Sequence, residues 1–332
     1  MRKVLFGVDW GGTRVKIGAV DFDGTILRHD IIAVDRALSA EEQYAVILLC
    51  LRRLAEAMGK PAAIGLGLTG VTDPNRGVVL LPGKIRGMEG FPIVPRLRND
   101  FDVPVWADND GQLAMYAERF AGHAKECSWA VTVTIGTGIG SGVLIDGRII
   151  DDPHLMFGMQ IGHLVVDMNN DKLSLIGTRG TAELLCSATA LVLAVRSGLQ
   201  HGIPSVLSER YWEDPGSVDF RSIIEDGVAA NDALCIDELN RWTKQLGWLL
   251  VNVVHAYSPE IIILAGGAIG ASRFFINELR AHVRKYVFRY PRGEEVPIRI
   301  SEFGELSGLV GAALMARERL KTLREGEVAT AG

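Results

Sequence analysis

The chain is poor in cysteine, has no surplus of basic residues, and contains no long apolar run. Cys50, Cys127, Cys186 and Cys235 are scattered. They suit small buried hydrophobes in a reducing compartment better than a disulfide or metal framework. The formal net charge of −5 argues against a nucleic-acid binder, which would carry a basic face. No segment approaches the ~20 uninterrupted apolar residues of a membrane span. The opening stretch, MRKVLFGVD, starts basic, but Asp9 interrupts its short apolar run. It is a strand rather than a signal peptide, which makes the cytoplasm the expected location. Low-complexity linkers are missing too, so a domain boundary must fall in a helix or tight loop, near residue 118. What remains is ordinary for a folded protein: 332 residues, 48% hydrophobic and 23% charged. That length suffices for about two domains at ~150 residues each, with a core that needs no staples.

Residues 3–9 and 15–20 are short apolar runs flanking a glycine turn, and DFDGT is an Asp-Gly hairpin leading to a third strand at 25–34. Ser39 and Glu42 form a capping box before a helical pattern that runs to Met58. AAIGLGLTG is a buried strand, FPIVPRLRND a short helix and VPVWAD a strand ending at Ala107, with a helix beyond it. Residues 129–150, WAVTVTIGTGIGSGVLIDGRII, then restate the opening: strand, glycine turn, strand, Asp-Gly hairpin, strand. This two-copy pattern predicts two similar α/β domains. Helices are expected near 179–198 and 233–256. The strand PEIIILAGG, a helix from Ser272, the strand VPIRISEF and a closing helix then follow, and the tail REGEVATAG is expected to fray.

The alternating glycines of TIGTGIGSG lack the dinucleotide spacing and precede a strand, and no Walker lysine is present. Two readings remain: a hairpin whose glycines only supply positive φ, or one whose backbone N–H groups bind phosphate oxygens. Two such turns, one per domain, would grip a triphosphate across a cleft. Asp9, ending the first strand, is either a turn former or a carboxylate that holds Mg²⁺ through water. Gly266 and Gly267 would let a flat adenine ring approach the backbone. In ADNDGQLA, Asn109 or Asp110 could simply cap the next helix. Together they also suit a sugar site, with Asn109 bonding a hydroxyl and Asp110 accepting the proton of the attacking one.

These pieces together resemble the ROK family of sugar kinases, within the actin/hexokinase/Hsp70 superfamily, nearly end to end. DWGGTRVKIGAVD is similar to the family's first phosphate motif and TIGTGIGSGVLIDGRII to its second. GLGLTGVTDPNRGVVL resembles the segment leading to the sugar site, and SPEIIILAGG the adenosine segment. ADNDGQLA stands where the family has E-N-D-A-N-A-A, and ISEFGELSGLVGAA resembles the closing strand and helix. The resemblance implies two actin-like (ribonuclease H-like) α/β domains with mixed sheets around a central cleft. The domains would be 1–118 and 119–305, with the helix at 306–322 packing back on the first. It implies an ATP- and Mg²⁺-dependent kinase acting on a hexose or hexose derivative, a homodimer without nucleic-acid or membrane partners. Asp110 would be the base. Gly70, Asn109, Gln160, His163 and Glu183 would hold the sugar. Gly11, Gly12, Thr13, Gly136, Thr137, Gly138, Gly266 and Gly267 would hold the nucleotide, with Asp9 near magnesium.

The sequence also departs from the family. Gln160 stands where E-x-G-H has its glutamate, while Gly162 and His163 match. The family's zinc motif, C-x-C-G-x-x-G-C-x-E, becomes SLIGTRGTAE, with Ser174, Ile176 and Thr181 at the cysteine positions. Hydroxyls and methyl groups make a poor zinc site. No zinc is expected, and Leu173, Leu175 and Ile176 are expected to plug the loop instead. His163 is then either a core or hydrogen-bonded histidine or a direct sugar ligand. Lys84 falls about where the family has a sugar-binding asparagine; it is either a solvated charge or the sign of an acidic substrate. The competing reading is a sugar-binding protein without turnover, either a degenerate kinase or a regulator. ROK repressors carry an amino-terminal DNA-binding domain, whereas this chain starts at the first phosphate strand. A chaperone of the same superfamily would need a peptide-binding domain.

Overall fold

The computed structural model describes residues 3–35, 37–80, 85–150, 159–174, 176–288 and 295–331. Lys84 and Leu175 lie outside them. The chain divides into two compact units: Met1–Thr132 with Ser141–Met159 and Ser301–Gly332, and Val133–Gly140 with Gln160–Ile300. The expected boundary near 118 falls inside a helix of the first unit. The chain instead changes unit within two strands, after Thr132 and before Ser141.

The first unit is built on strands β1 (Val4–Trp10), β2 (Arg14–Asp21), β3 (Ile26–Ala33), β4 (Ile64–Leu68) and β7 (Val105–Asn109). Between the last two, β5 (Thr72–Asp73) and β6 (Val78–Val79) form a small hairpin. The sheet order is β3-β2-β1-β4-β7, antiparallel across the two opening hairpins and parallel from β1 through β4 to β7. Alternation along β1 splits its side chains between two faces. Phe6, Val8 and Trp10 pack with Ile47, Leu51 and Leu54 of α1 (Ala40–Met58) and with Leu97 of α2 (Ile93–Phe101). The Ser39–Glu42 capping box is present and starts α1 where expected. Leu5 belongs to the opposite face, with Leu309, Val310 and Ala313 of the closing helix, α10 (Ser307–Ala331). Gly65 makes that seat possible, because a Cβ there would lie 1.8 Å from the Ala312 carbonyl oxygen. α10 also packs along α3 (Asp110–Ala121), as the closing helix was expected to return to the first unit. It runs to Ala331, so the expected frayed tail is helical.

Strands β8 (Ala130–Ile135), β9 (Ile139–Ile145), β10 (Arg148–Ile149), β11 (Ile261–Ala265) and β12 (Ile298–Ile300) form the second sheet, in the order β10-β9-β8-β11-β12. This is the order of the first sheet again, as the repeated sequence pattern implies. Helices of the second unit are α4 (Ala182–Cys186), α5 (Ala188–Gln200), α6 (Ser208–Glu213), α7 (Phe220–Ser222), α8 (Ala233–Tyr257) and α9 (Ile276–Tyr286). The helical stretch expected at 179–198 is broken at Ser187, whose hydroxyl caps α5 and whose carbonyl accepts from Trp242 Nε1. On α9, His282 meets Trp248 edge-on and Tyr286 at a tilt, with ring centroids 4.9 and 4.6 Å away. Burial, with Lys285 and Lys244 adding to it, holds the His282 imidazole below its ordinary pKa. No helix of the described residues is long and apolar enough to cross a membrane.

Candidate active site

In the first unit, the carboxyl ends of three parallel strands share one edge. Asp9 of β1 is in register with Gly67 of β4, which is in register with Asp108 of β7. At ~4.8 Å per strand, Asp9 and Asp108 are roughly 10 Å apart along that edge. Ligands of open α/β sheets bind beyond such strand ends.

Asp9 is not a turn former. It is the penultimate residue of β1 and is 7% exposed. Its partner is Lys16, directly opposite on β2, with Nζ 2.8 Å from Oδ2. The same carboxylate lies against the first turn of α10, where a Cβ on Gly308 would sit 2.6 Å from Oδ2. That helix end favours negative charge. Between Asp9 and Lys16, the turn closes through the Gly11 N–H to the Arg14 carbonyl. Gly12 is buried and Thr13 exposed. Arg14 Nη1 also reaches Glu305 at 3.1 Å. Lys16 and Gly308 escaped the sequence reading. Pairing about the 11–14 turn would have put Lys16 opposite Asp9, whereas Gly308 is reached only through tertiary packing.

β7 ends at Asn109, two residues later than expected, and α3 starts at Asp110. Asn109 is the N-cap: Oδ1 accepts from the Gly111 N–H at 3.0 Å, and Nδ2 donates to the Gly70 carbonyl at 2.9 Å. The capping role thus belongs to Asn109, which leaves one amide hydrogen for another acceptor. Gly70 is exposed, and its φ of +98° is one that glycine adopts without strain. Asp110 is half-buried in the first turn of α3, with Oδ1 accepting from the Gly111 N–H at 2.9 Å. Arg319 of α10 stands 3.7 Å from Asp108, tying the closing helix to this edge.

The second unit holds the other glycine turn. The Gly136 N–H donates to the Gly138 carbonyl. Ala188 N–H donates to the Gly136 carbonyl, and Thr189 Oγ1 to the Thr137 carbonyl at 2.8 Å. The Ile139 N–H donates to Glu183 Oε2 at 3.2 Å. A Cβ on Gly138 would lie 2.2 Å from that oxygen, so only glycine admits the carboxylate. Gly162 meets the Ile139 carbonyl in the same way. His163 is exposed and Gln160 half-buried, so His163 is not a core histidine. Gly266 takes φ +93° with its Cβ position against the Ile135 backbone, 2.6 Å from the carbonyl oxygen. The missing side chain at 266 therefore serves strand packing, while Gly267 faces open space.

At the position of the family's zinc motif, Leu173 and Ile176 do not form the expected apolar plug. Leu173 and Ile176 are 54% and 75% exposed. Backbone bonds hold the loop instead: Ser174 N–H to the Thr178 carbonyl, Gly180 N–H to Lys172, Val166 N–H to Gly180 and Ala182 N–H to Leu164. Ile176 has no donor atom, and Thr181 and Ser174 offer only hydroxyls, so these residues do not fit zinc. Among the described residues, no group of three His, Cys, Asp or Glu side chains could hold a metal ion. Asp9 does fit magnesium, which takes one or two carboxylates and otherwise substrate phosphates and water.

A family model described as the ROK family matches residues 5–319. The chain is 28% identical to a glucokinase of Thermotoga maritima over 322 residues, covering 95% of this chain and 98% of that protein. It is 23% identical to a putative xylose repressor of Caldicellulosiruptor sp. over 316 residues, covering 94% of this chain and 77% of the repressor. Among solved structures, a ROK family glucokinase from Streptomyces griseus in complex with glucose and AMPPNP superposes with a TM-score of 0.82. It shares 24% identity and covers 95% of this chain and 99% of that one. The likeness assigns the two mixed sheets to the actin-like α/β fold.

Proposed function

The chain belongs to the ROK family, and from that membership we propose that it is an ATP-dependent sugar kinase. It would transfer the γ-phosphoryl group to a hydroxyl of a hexose or hexose derivative. The observation that carries this reading is the common edge of β1, β4 and β7, which brings Asp9, Gly70 and Asp110 to the ends of parallel strands in one unit.

Phosphoryl transfer needs positioning and charge neutralisation more than covalent help. Asp110, fixed in the first turn of α3, orients the acceptor hydroxyl and takes its proton. Asn109 offers its remaining amide hydrogen to the sugar while holding the loop at Gly70. Glu183, His163 and Gln160 are the further sugar ligands of this reading. The turns at 11–13 and 136–138 supply backbone N–H groups to phosphate oxygens. The segment at Gly267 receives the adenine. Asp9 would hold magnesium through water, and the ion would neutralise phosphate charge. The same reading makes the protein a cytoplasmic homodimer.

A coupled ATP assay over hexoses and acylated amino sugars is the test. Turnover of at least one is expected, and no turnover of any, with sugar bound, would favour the second reading. That reading, a sugar-binding regulator without turnover, draws on the similarity to the xylose repressor and on Gln160 in the glutamate position.

A further inference from the structure

Glu183 does something in this structure that its expected role as a sugar ligand does not require. Its carboxylate sits on the second glycine turn, with Oε2 accepting from the Ile139 N–H at 3.2 Å. The space it fills exists because residue 138 has no Cβ. The turn is otherwise held by Ala188 and Thr189, which bond to the Gly136 and Thr137 carbonyls. Those bonds stabilise the turn's shape without using its outward N–H. Ile139 opens β9 directly after the 136–138 turn, so the carboxylate places an anion beside the N–H groups that the kinase reading gives to phosphate. The next anion expected there is a phosphate of the nucleotide, and the two cannot share one hydrogen.

We propose that Glu183 is a gate on the nucleotide subsite, opened by the sugar. Without sugar, the carboxylate holds the Ile139 N–H and places a negative charge where a phosphate must come. A sugar hydroxyl that donates to Glu183 draws the carboxylate off the turn and frees the N–H for a phosphate oxygen. The side chain is otherwise exposed, so it has room to leave. Sugar then raises nucleotide affinity, and by linkage the nucleotide raises sugar affinity by the same factor. This deepens the kinase reading and rests on it. It means that ATP is excluded from the turn until an acceptor is present, which limits wasteful hydrolysis.

The experiment is calorimetric titration of the full chain with a non-hydrolysable ATP analogue and Mg²⁺, in the absence of sugar. Wild type, Glu183→Gln and Glu183→Ala are compared. Glutamine keeps an acceptor for Ile139 but no charge, and alanine removes both. The gate predicts that alanine binds the analogue about tenfold more tightly than wild type, within the ~5–150-fold range of such couplings, and that glutamine, which loses the charge but still accepts from Ile139, gains less. A brace would give the opposite sign, with alanine weakening nucleotide binding by loosening the turn and glutamine leaving it unchanged. Equal or weaker binding in both variants overturns the gate. Far-UV circular dichroism checks the fold, and if alanine fails to fold, glutamine alone decides. In wild type, a sugar that the protein phosphorylates is expected to raise analogue affinity to the level of the alanine variant. No such rise overturns the sugar-driven step. If none of the three proteins binds nucleotide, with or without sugar, the kinase reading itself falls. If wild type binds nucleotide and the variants bind no better, only the gate falls.

Discussion

Replacing Lys16 by methionine isolates the buried charge at the first turn. The side chains of Lys16 and Asp9 are 17% and 10% exposed, and their charged atoms are 2.8 Å apart. Methionine keeps most of the aliphatic stem but removes the ammonium, stranding a carboxylate that is largely out of water. Breaking a buried pair from one side costs about 3–5 kcal/mol. Lys16 retains some contact with solvent, and the first turn of α10 still favours the carboxylate, so ~3 kcal/mol is the expected loss. At roughly 2–4 °C per kcal/mol for a unit of 150–250 residues, the melting temperature falls by about 6–12 °C. Asp9→Asn should cost less, because a lone lysine can extend its head to water. The double variant should recover much of the lysine variant's loss, since no unpaired charge remains. Thermal melts of the four proteins, followed by circular dichroism, form the cycle. A Lys16→Met loss below about 0.5 kcal/mol, or a double variant equal to the sum of the singles, would refute the argument that this pair is energetically coupled.

Asp110→Asn should lower turnover by ~10²–10⁴-fold with sugar binding retained, as loss of a general base does; near-normal turnover would assign the base elsewhere. Protein purified without added zinc should contain no stoichiometric zinc by elemental analysis, and a chelator should leave its melting temperature unchanged. A bound zinc or a large chelator effect would mean that other ligands rebuild the site. His282 takes up its proton less readily folded than unfolded. The unfolded chain therefore binds more protons below the ordinary histidine value of about 6.5, and stability falls as pH drops through it. Replacing His282 with phenylalanine should shrink the drop in melting temperature between pH 7 and pH 5; an unchanged drop would place its origin in other groups.

Local patterns were legible wherever the chain signals by neighbours. The Ser39–Glu42 box, the Asp-Gly hairpin, the three-strand opening and its restatement at 129–150 all depend on residues within a few positions of one another. The Asn109 cap was legible as one of two roles. What stayed hidden depends on contacts distant in sequence. Nothing near Glu183 in the chain announces that it meets Ile139, 44 residues away. The Ile135 backbone that a side chain at 266 would meet comes from another strand, out of reach of any local pattern. The apolar residues at 173 and 176 suggested a plug, but a loop closed by its own backbone bonds need not bury them. The boundary near 118 was placed in a helix or tight loop for want of a linker, whereas the chain passes between the units inside β8 and β9 and again after Met159 and Ile300.

The order of the closing helix has a consequence for biosynthesis. The first sheet is complete at Asn109, yet the helix that covers its second face begins only at Ser307. About 200 residues of translation separate them, or roughly 10–40 s at ~5–20 residues per second. During that interval the nascent sheet shows Leu5 and Val20, later buried under α10, to whatever the ribosome's surroundings provide. The first unit thus begins to fold early and finishes last, and a ribosome stalled between Asn109 and Ser307 holds out a sheet face not yet covered by α10.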